Sequence, residues 1–196
     1  MKPFRSEDLP VFSRLTSAEK QNAVDFITSA LEIFEETRAE GFQLNDSPKL
    51  LWRALRKLGW TPQSDVFDRI GEHDVVNIYS PGPIQVFQNL NFFDWVSLTL
   101  EELYAAPLHQ YSRREAKAAE LAFQTAVDLF TGVKSSTVFP DIPEHYVEEV
   151  GTESPTKFYI TIHTVSPLKK DGQVVAIMAI SRCRLWDGVP YAGELL

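Results

Sequence analysis

The clearest β pattern in the chain is FYITIHTVSPLKKDGQVVAIMAIS, residues 158–181. Two runs rich in β-branched and aromatic residues, 158–165 and 174–181, flank a short polar segment, and such runs are typical of strands. Asp171-Gly172 in that segment is a strong signal for a tight hairpin turn. The stretch therefore predicts two antiparallel strands joined by a hairpin.

The two faces of the first of these strands differ in polarity, because successive side chains point to opposite sides. The second strand is apolar on both faces, which indicates that both faces of the sheet are covered. We expect the mixed face to look inward, since a few polar groups in an apolar cavity are typical of a small-molecule site. The reversed orientation, with the mixed face in solvent, is the alternative. The apolar face carries Phe158, Ile160 and Ile162, and the mixed face carries Tyr159, Thr161, His163 and Val165.

Three further strands and several helices are predicted upstream of this hairpin. Thr99 and Glu102 have the spacing of a capping box at the start of a short helix, 100–105. A longer helix, 114–130, ends at Gly132. The strands are 74–79 and 84–87, joined by a turn at Pro81-Gly82-Pro83, and 134–139, with one more possible strand at 145–150.

Short helices should cover the inward face and supply the remaining pocket residues. The aromatic run Phe92, Phe93 and Trp95 is explained equally well by a clamp on a flat ligand and by core packing. The complete set of candidate pocket residues is Phe92, Trp95, Leu103, Phe123, Tyr159, Thr161 and His163.

Two helices are predicted before residue 60. Thr16 and Glu19 form a capping box for the first, and Gly41 suits its end. The second begins at Ser47 with Pro48 at its first position and ends near Gly59. The first helix has a wide apolar stripe, so we expect it to form a homodimer interface as well as part of the core. The candidate interface residues are Val24, Ile27, Leu31 and Phe34.

In order, the chain has helices, two strands, several short helices and three strands. Several local stretches accompany this order: Ile84-Gln85-Val86-Phe87-Gln88-Asn89, Phe92-Phe93, Leu98-Thr99-Leu100-Glu101-Glu102-Leu103, Pro107-Leu108, Val165-Ser166-Pro167-Leu168 and Asp171-Gly172-Gln173-Val174-Val175. The order and these stretches together resemble the PAS domain family. The resemblance implies an α+β fold with a five-stranded antiparallel sheet, short helices on one face, an N-terminal helical extension at 1–60 and the PAS-like domain at 61–196. Residues 106–114 and the helix that follows are also similar to the PAS-like MEKHLA domain.

The chain departs from the family pattern in three places. Ser97 stands where many members have glycine, and the segment 140–155 is long for a connection between PAS strands. The usual exit from the last strand into a coiled coil is missing. No output module follows, so we expect a signal to pass through a separate partner protein.

Composition and charge exclude several classes of function. The chain has 196 residues and a net charge of −8, which disfavours nucleic acid and anionic membranes as partners. Its single cysteine, Cys183, excludes an internal disulfide and a cysteine-built metal site. No apolar run approaches the ~20 residues of a membrane span, and 1–10 lacks the apolar stretch of a signal peptide. We expect a cytoplasmic protein.

No catalytic motif is visible, and neither a metal nor a known cofactor is indicated. The four histidines lack metal-site spacing, and a haem or flavin is not supported by any motif, although His109 and His163 are the plausible haem ligands. Cys183 is interpreted as an ordinary thiol. An acidic cluster is expected to be a solvated loop face. It comprises Glu144, Glu148, Glu149 and Glu153.

The sequence therefore predicts a non-catalytic, PAS-type sensory or ligand-binding module. Two alternatives stay open. One is a small cone-shaped α+β hydrolase or isomerase, which needs a carboxylate and a histidine facing a shared cavity. The other is a structural interaction domain with a filled core.

Overall fold

A computed structural model describes residues 12–13, 15–81, 85–105, 107–151 and 154–196. Several features of the sequence analysis lie outside the described residues. They are the segment 1–10, Gly82 and Pro83 of the predicted turn, Ile84 at the start of the second predicted strand, Ala106 and Glu153.

The described residues form an α+β fold around one antiparallel sheet of six strands, in the spatial order β2-β1-β6-β5-β4-β3. The strands are β1 (Val75–Tyr79), β2 (Gln85–Gln88), β3 (Ser112–Arg114), β4 (His145–Glu149), β5 (Lys157–Lys170) and β6 (Gln173–Leu185).

The β5–β6 hairpin is confirmed and forms the centre of the sheet. Asp171 and Gly172 both have positive φ angles, 51° and 81°, as a tight hairpin turn requires. The hairpin contains one irregularity that matters for the site. Ile162 lies opposite Ser181 and Thr164 lies opposite Ile180, so His163 is an extra residue on β5 and reverses the alternation of side chains after it.

The five-stranded sheet predicted from the sequence needs correction. Residues 134–139 do not form a strand, and only Val138 bridges to Val165. The possible strand near His145 is present as β4. The polar segment Ser112–Arg114 adds a further strand by pairing with β4. Its sequence has no β pattern, so its conformation follows from the free edge that β4 offers.

Two N-terminal helices pack on one side of the sheet, which we call the α1–α2 face. They are α1 (Ser17–Ala39) and α2 (Ser47–Leu58). The capping box of Thr16 and Glu19 is present, and Gly59 ends α2 with a φ of 68°. A buried cluster joins these helices to the sheet, and it includes Leu51, Leu55, Val76, Ile78, Leu168, Met178 and Ile180.

The residues expected at a dimer interface lie largely inside the protomer. Ile27 and Phe34 are buried, Ile27 completely, so these two are not available for a contact between subunits. The wide apolar stripe of α1 contacts two surfaces within the chain. The first is formed by the sheet and α2, and the second by Phe12, Tyr104 and Ala105. Val24 and Leu31 are half-buried against the second surface. Homodimerisation itself stays a prediction.

The opposite side of the sheet, the cavity face, is covered by shorter elements. They are α3 (Leu100–Ala105), α4 (Ala116–Phe130) and the 3-10 turns Leu90–Asp94 and Leu108–Gln110. Within the described ranges, no helix combines the length and the apolar character needed to cross a membrane.

Candidate ligand cavity

A cavity of about 570 Å³ lies between the cavity face of the sheet and α4. Ile160, Ile162 and Ile177 form much of its floor, and α4 faces it with the small residues Ala119, Ala122 and Ala126. Alanines at these positions keep the helix from filling the space above the sheet. The cavity is therefore a property of the packing between two secondary-structure layers, and its volume is in the range typical of small-molecule sites.

The orientation expected for the first hairpin strand is wrong. Phe158, Ile160 and Ile162 line the cavity, while Tyr159 and Thr161 point to the α1–α2 face. The sequence left this open because β6 is apolar on both faces. Tertiary packing decides the orientation of this strand. On the α1–α2 face, the two helices cover only the end that is formed by residues such as Met178 and Ile180. The other end stays solvent-accessible and accepts the polar side chains.

The seven predicted pocket residues are divided between different places. Phe92 and Phe123 line the cavity, and Phe123 is 67% exposed at its rim. Leu103 is buried behind Phe92, and Trp95 packs on Phe158 with ring centroids 6.1 Å apart. The remaining three lie on the α1–α2 face. They are Tyr159, Thr161 and His163.

His163 belongs to an ion-pair cluster at an open cleft on the α1–α2 face. Its Nε2 lies 3.2 Å from Oδ2 of the buried Asp74, and Arg182 donates through Nε and Nη2 to Oδ1 at 3.2 Å. The Gly71 amide donates to Oδ2 at 2.8 Å. Asp74 and His163 are thus the carboxylate–histidine pair that the enzyme alternative needs, but outside the cavity. With these partners the Asp74 carboxylate joins the Gly71 loop, β5 and β6.

The polar groups inside the cavity are the feature that sequence reasoning missed. Asn77 Oδ1, Gln85 Oε1 and the Tyr111 hydroxyl line the cavity or face it, are shielded from water and have no hydrogen-bond partner among the described residues. Their residues are only 3%, 0% and 5% exposed. Gln88, opposite Asn77 in the β1–β2 ladder, has both amide atoms unpartnered. Buried polar groups are nearly always satisfied in folded proteins, so these atoms need partners that the described residues do not supply.

Two charged residues line the cavity, and their environments differ. The Glu149 carboxylate is buried and accepts three hydrogen bonds, from Ser97 N at 2.8 Å, Ser97 Oγ at 2.7 Å and Thr156 N at 2.9 Å. Arg114 is half-buried, and no carboxylate of the described residues forms an ion pair with it.

The field of Arg114 reaches several buried groups around the cavity. Burial raises the pKa of Tyr111 well above its ordinary value, Tyr79 raises it further, and the charge of Arg114 opposes the rise. Burial lowers the pKa of His145 to about 4; the hydrogen bond from its Nδ1 to the Pro143 carbonyl opposes this shift, and the charge of Arg114 adds to it. His145 is consequently neutral at neutral pH. Arg114 thus supplies a fixed positive charge close to Tyr111.

One sequence signal could have found part of this cluster. Asn77 interrupts the apolar run Val75-Val76-Asn77-Ile78-Tyr79 on a central strand, and Gln85 and Gln88 flank Val86-Phe87. A polar residue in a strand that is buried on both faces needs a specific partner. No comparable signal exists for Tyr111 and Arg114, which reach the cavity through the short strand β3 and the turn before it.

Comparison with protein-family models gives no match to this chain, and comparison with curated proteins gives none either. What the cavity binds must be judged from its own residues.

Proposed function

We propose that this protein is a PAS-type ligand-binding sensory module whose cavity holds a small, largely apolar molecule. The observation that carries the proposal is the cluster of buried, unpartnered polar atoms of Asn77, Gln85 and Tyr111 in an otherwise apolar cavity. A bound molecule or the water it displaces would satisfy these atoms. The order of helices and strands is close to the one on which the resemblance to PAS domains rests, apart from the added strand β3 between α3 and α4.

The two alternatives receive less support. A structural interaction domain needs no internal space, whereas about 570 Å³ lies between sheet and α4 here. The enzyme alternative needs an acid–base pair in a shared cavity. The Asp74–His163 pair lines the open cleft on the other side of the sheet, where the Asp74 carboxylate already accepts hydrogen bonds from Arg182 and Gly71.

α4 is the element best placed to report occupancy of the cavity to a partner protein. One side of it faces the cavity through Ala122 and Ala126, and the other is exposed at Leu121 and Glu120. A molecule that fills the cavity contacts the inner side of α4 directly. The outer side then presents this change to a partner protein.

The test is binding of the neutral fluorescent probe N-phenyl-1-naphthylamine to the purified protein, followed by titration. Ala122→Trp places a large side chain in the cavity and should weaken probe binding at least tenfold. Leu121→Trp adds the same side chain one position away, where the residue is 38% exposed, and should leave binding unchanged. Absence of probe binding to the parent protein, or equal binding by the two variants, would contradict the proposal.

A further inference from the structure

We propose that the ligand of the cavity is an apolar carboxylic acid whose carboxylate is held by Arg114 and Tyr111. This inference rests on the proposed function and adds the chemical class of the ligand. It follows from the polar and charged groups of the cavity lining rather than from the cavity volume.

Arg114 is the starting point because it is a half-buried cation in the lining of a largely apolar cavity. The residue lies in β3 opposite Val147, a cavity-lining residue, and its side chain lines the cavity. No carboxylate of the described residues forms an ion pair with Arg114. A half-buried guanidinium that forms no ion pair is available to bind an anion in the cavity.

Glu149, the other charged residue of the lining with a buried side chain, does not supply that anion. Both of its oxygens accept hydrogen bonds from Ser97 and Thr156, which fix the carboxylate against the loop before α3 and the start of β5. Its separation from the Arg114 guanidinium exceeds the 4 Å limit for an ion pair, so the charge of Arg114 stays available to a ligand.

Tyr111 provides the second contact. Its hydroxyl is buried, has no partner, and lies within the electrostatic influence of both Tyr79 and Arg114. A carboxylate accepts hydrogen bonds from a guanidinium in a two-bond arrangement, and these are among the strongest hydrogen bonds in proteins. A tyrosine hydroxyl is protonated at neutral pH, so Tyr111, which lines the same cavity as Arg114, is a suitable additional donor.

The rest of the cavity determines the rest of the ligand. The isoleucines of β5 and β6 and the alanines of α4 offer only apolar contacts, which favour a hydrocarbon or aromatic body. The carboxamides of Asn77 and Gln85 can present either an oxygen or an NH₂ group after rotation. They can therefore bind a polar substituent or an ordered water beside the apolar body.

The experiment measures displacement of N-phenyl-1-naphthylamine by three ten-carbon compounds that differ only in the head group: decanoate, decan-1-ol and decylammonium. The parent protein should bind decanoate at least tenfold more tightly than decan-1-ol, and decylammonium most weakly. Arg114→Gln should abolish the preference for decanoate while leaving decan-1-ol affinity within about twofold. Arg113→Gln, a change at the exposed neighbouring residue, should keep the preference.

A second variant keeps the test informative if Arg114→Gln folds poorly. Tyr111→Phe should reduce decanoate affinity severalfold with little effect on decan-1-ol. Equal affinity of the parent protein for decanoate and decan-1-ol would overturn this inference and leave the proposed function intact. The same holds if Arg114→Gln and Tyr111→Phe both retain the preference. Failure of the neutral probe to bind the parent protein overturns the proposed function and this inference together.

Discussion

Asn77 and Asn89 are both buried side-chain amides beside β1, yet Asn89 has a full set of hydrogen bonds and Asn77 Oδ1 has none. Asn89 Oδ1 accepts from Val76 N at 3.0 Å, and its Nδ2 donates to Ser47 Oγ at 2.7 Å and to Asp74 O at 2.8 Å. These bonds join the start of α2, β1 and the end of β2. Asn77 lines the cavity. One asparagine therefore stabilises the fold, and the other is available to a ligand.

Asn89→Leu should thus lower stability much more than Asn77→Leu. The first leaves the Val76 amide and the Asp74 carbonyl without this partner, which we expect to lower the free energy of unfolding by about 3 kcal/mol. The second removes an amide whose Oδ1 has no partner, and it should change the free energy of unfolding by less than about 1 kcal/mol. Urea unfolding of the ligand-free proteins measures both. Equal losses in the two variants would show that Asn77 has a structural partner.

His145 should make stability depend on pH. Its side chain is buried and its folded-state pKa is lowered from 6.5 to about 4. Between these values the unfolded chain binds the proton that the folded chain refuses, so stability is complete above pH 6.5 and falls as the pH decreases towards 4. The loss amounts to about 3 kcal/mol.

The measurement is the free energy of unfolding of the parent protein and of His145→Phe from pH 7.5 to 4. Carboxylates titrate in both proteins, so the difference between the two curves isolates His145. As the pH falls, the parent protein should lose more stability than His145→Phe, so the difference between the two curves should shift in favour of the variant. His73→Gln, at an exposed histidine, is the control and should follow the parent curve. A difference that does not vary with pH would contradict the prediction.

Cys183 should be a poorly reactive thiol in the folded protein. Burial raises its pKa to about 12, Arg114 partly opposes the rise and Asp74 adds to it. The thiolate is the reactive form, so alkylation by iodoacetamide at pH 8 should be about a thousandfold slower than for a thiol of ordinary pKa. Mass spectrometry of timed samples, native and in 8 M urea, gives the two rates. Comparable rates would show that Cys183 is accessible and ionised.

Ile27 should act on stability and not on assembly. It is completely buried between α1 and its neighbours, so Ile27→Ala should lower the free energy of unfolding by about 2–4 kcal/mol. Val24→Ala, at a half-buried position one turn earlier, should have a smaller effect. Light scattering before unfolding should give the same molar mass for both variants and the parent protein. A change of oligomeric state caused by Ile27→Ala alone would place this residue at a subunit contact.

Local features of the fold were predictable because short-range physical chemistry determines them. The Asp171-Gly172 turn, the capping box of Thr16 and Glu19 and the left-handed end of α2 at Gly59 depend on residues within one or two turns. The strand β3 was not predictable, since Ser112–Arg114 has no β pattern of its own and is a strand only because β4 lies beside it.

The candidate site shows the same division. Phe92 and Phe123 were predicted from apolar and aromatic pattern and do line the cavity. Asn77, Gln85, Tyr111 and Arg114 were missed, because polar residues that are distant in sequence form a cluster only after the sheet and its covering helices have assembled.

The sequence by itself determined where the long hairpin turns, which segments are helical and that the sheet is covered on both faces where β6 is apolar. Only the tertiary structure decided which face of β5 looks into the cavity. An alternating strand carries two side-chain sets, and both could be buried here because β6 is apolar on both sides. The coverage by α1 and α2, together with the extra residue at His163, selected Phe158, Ile160 and Ile162 for the cavity. Periodicity defines the two faces of a strand, but the elements that pack on each face decide what those faces do.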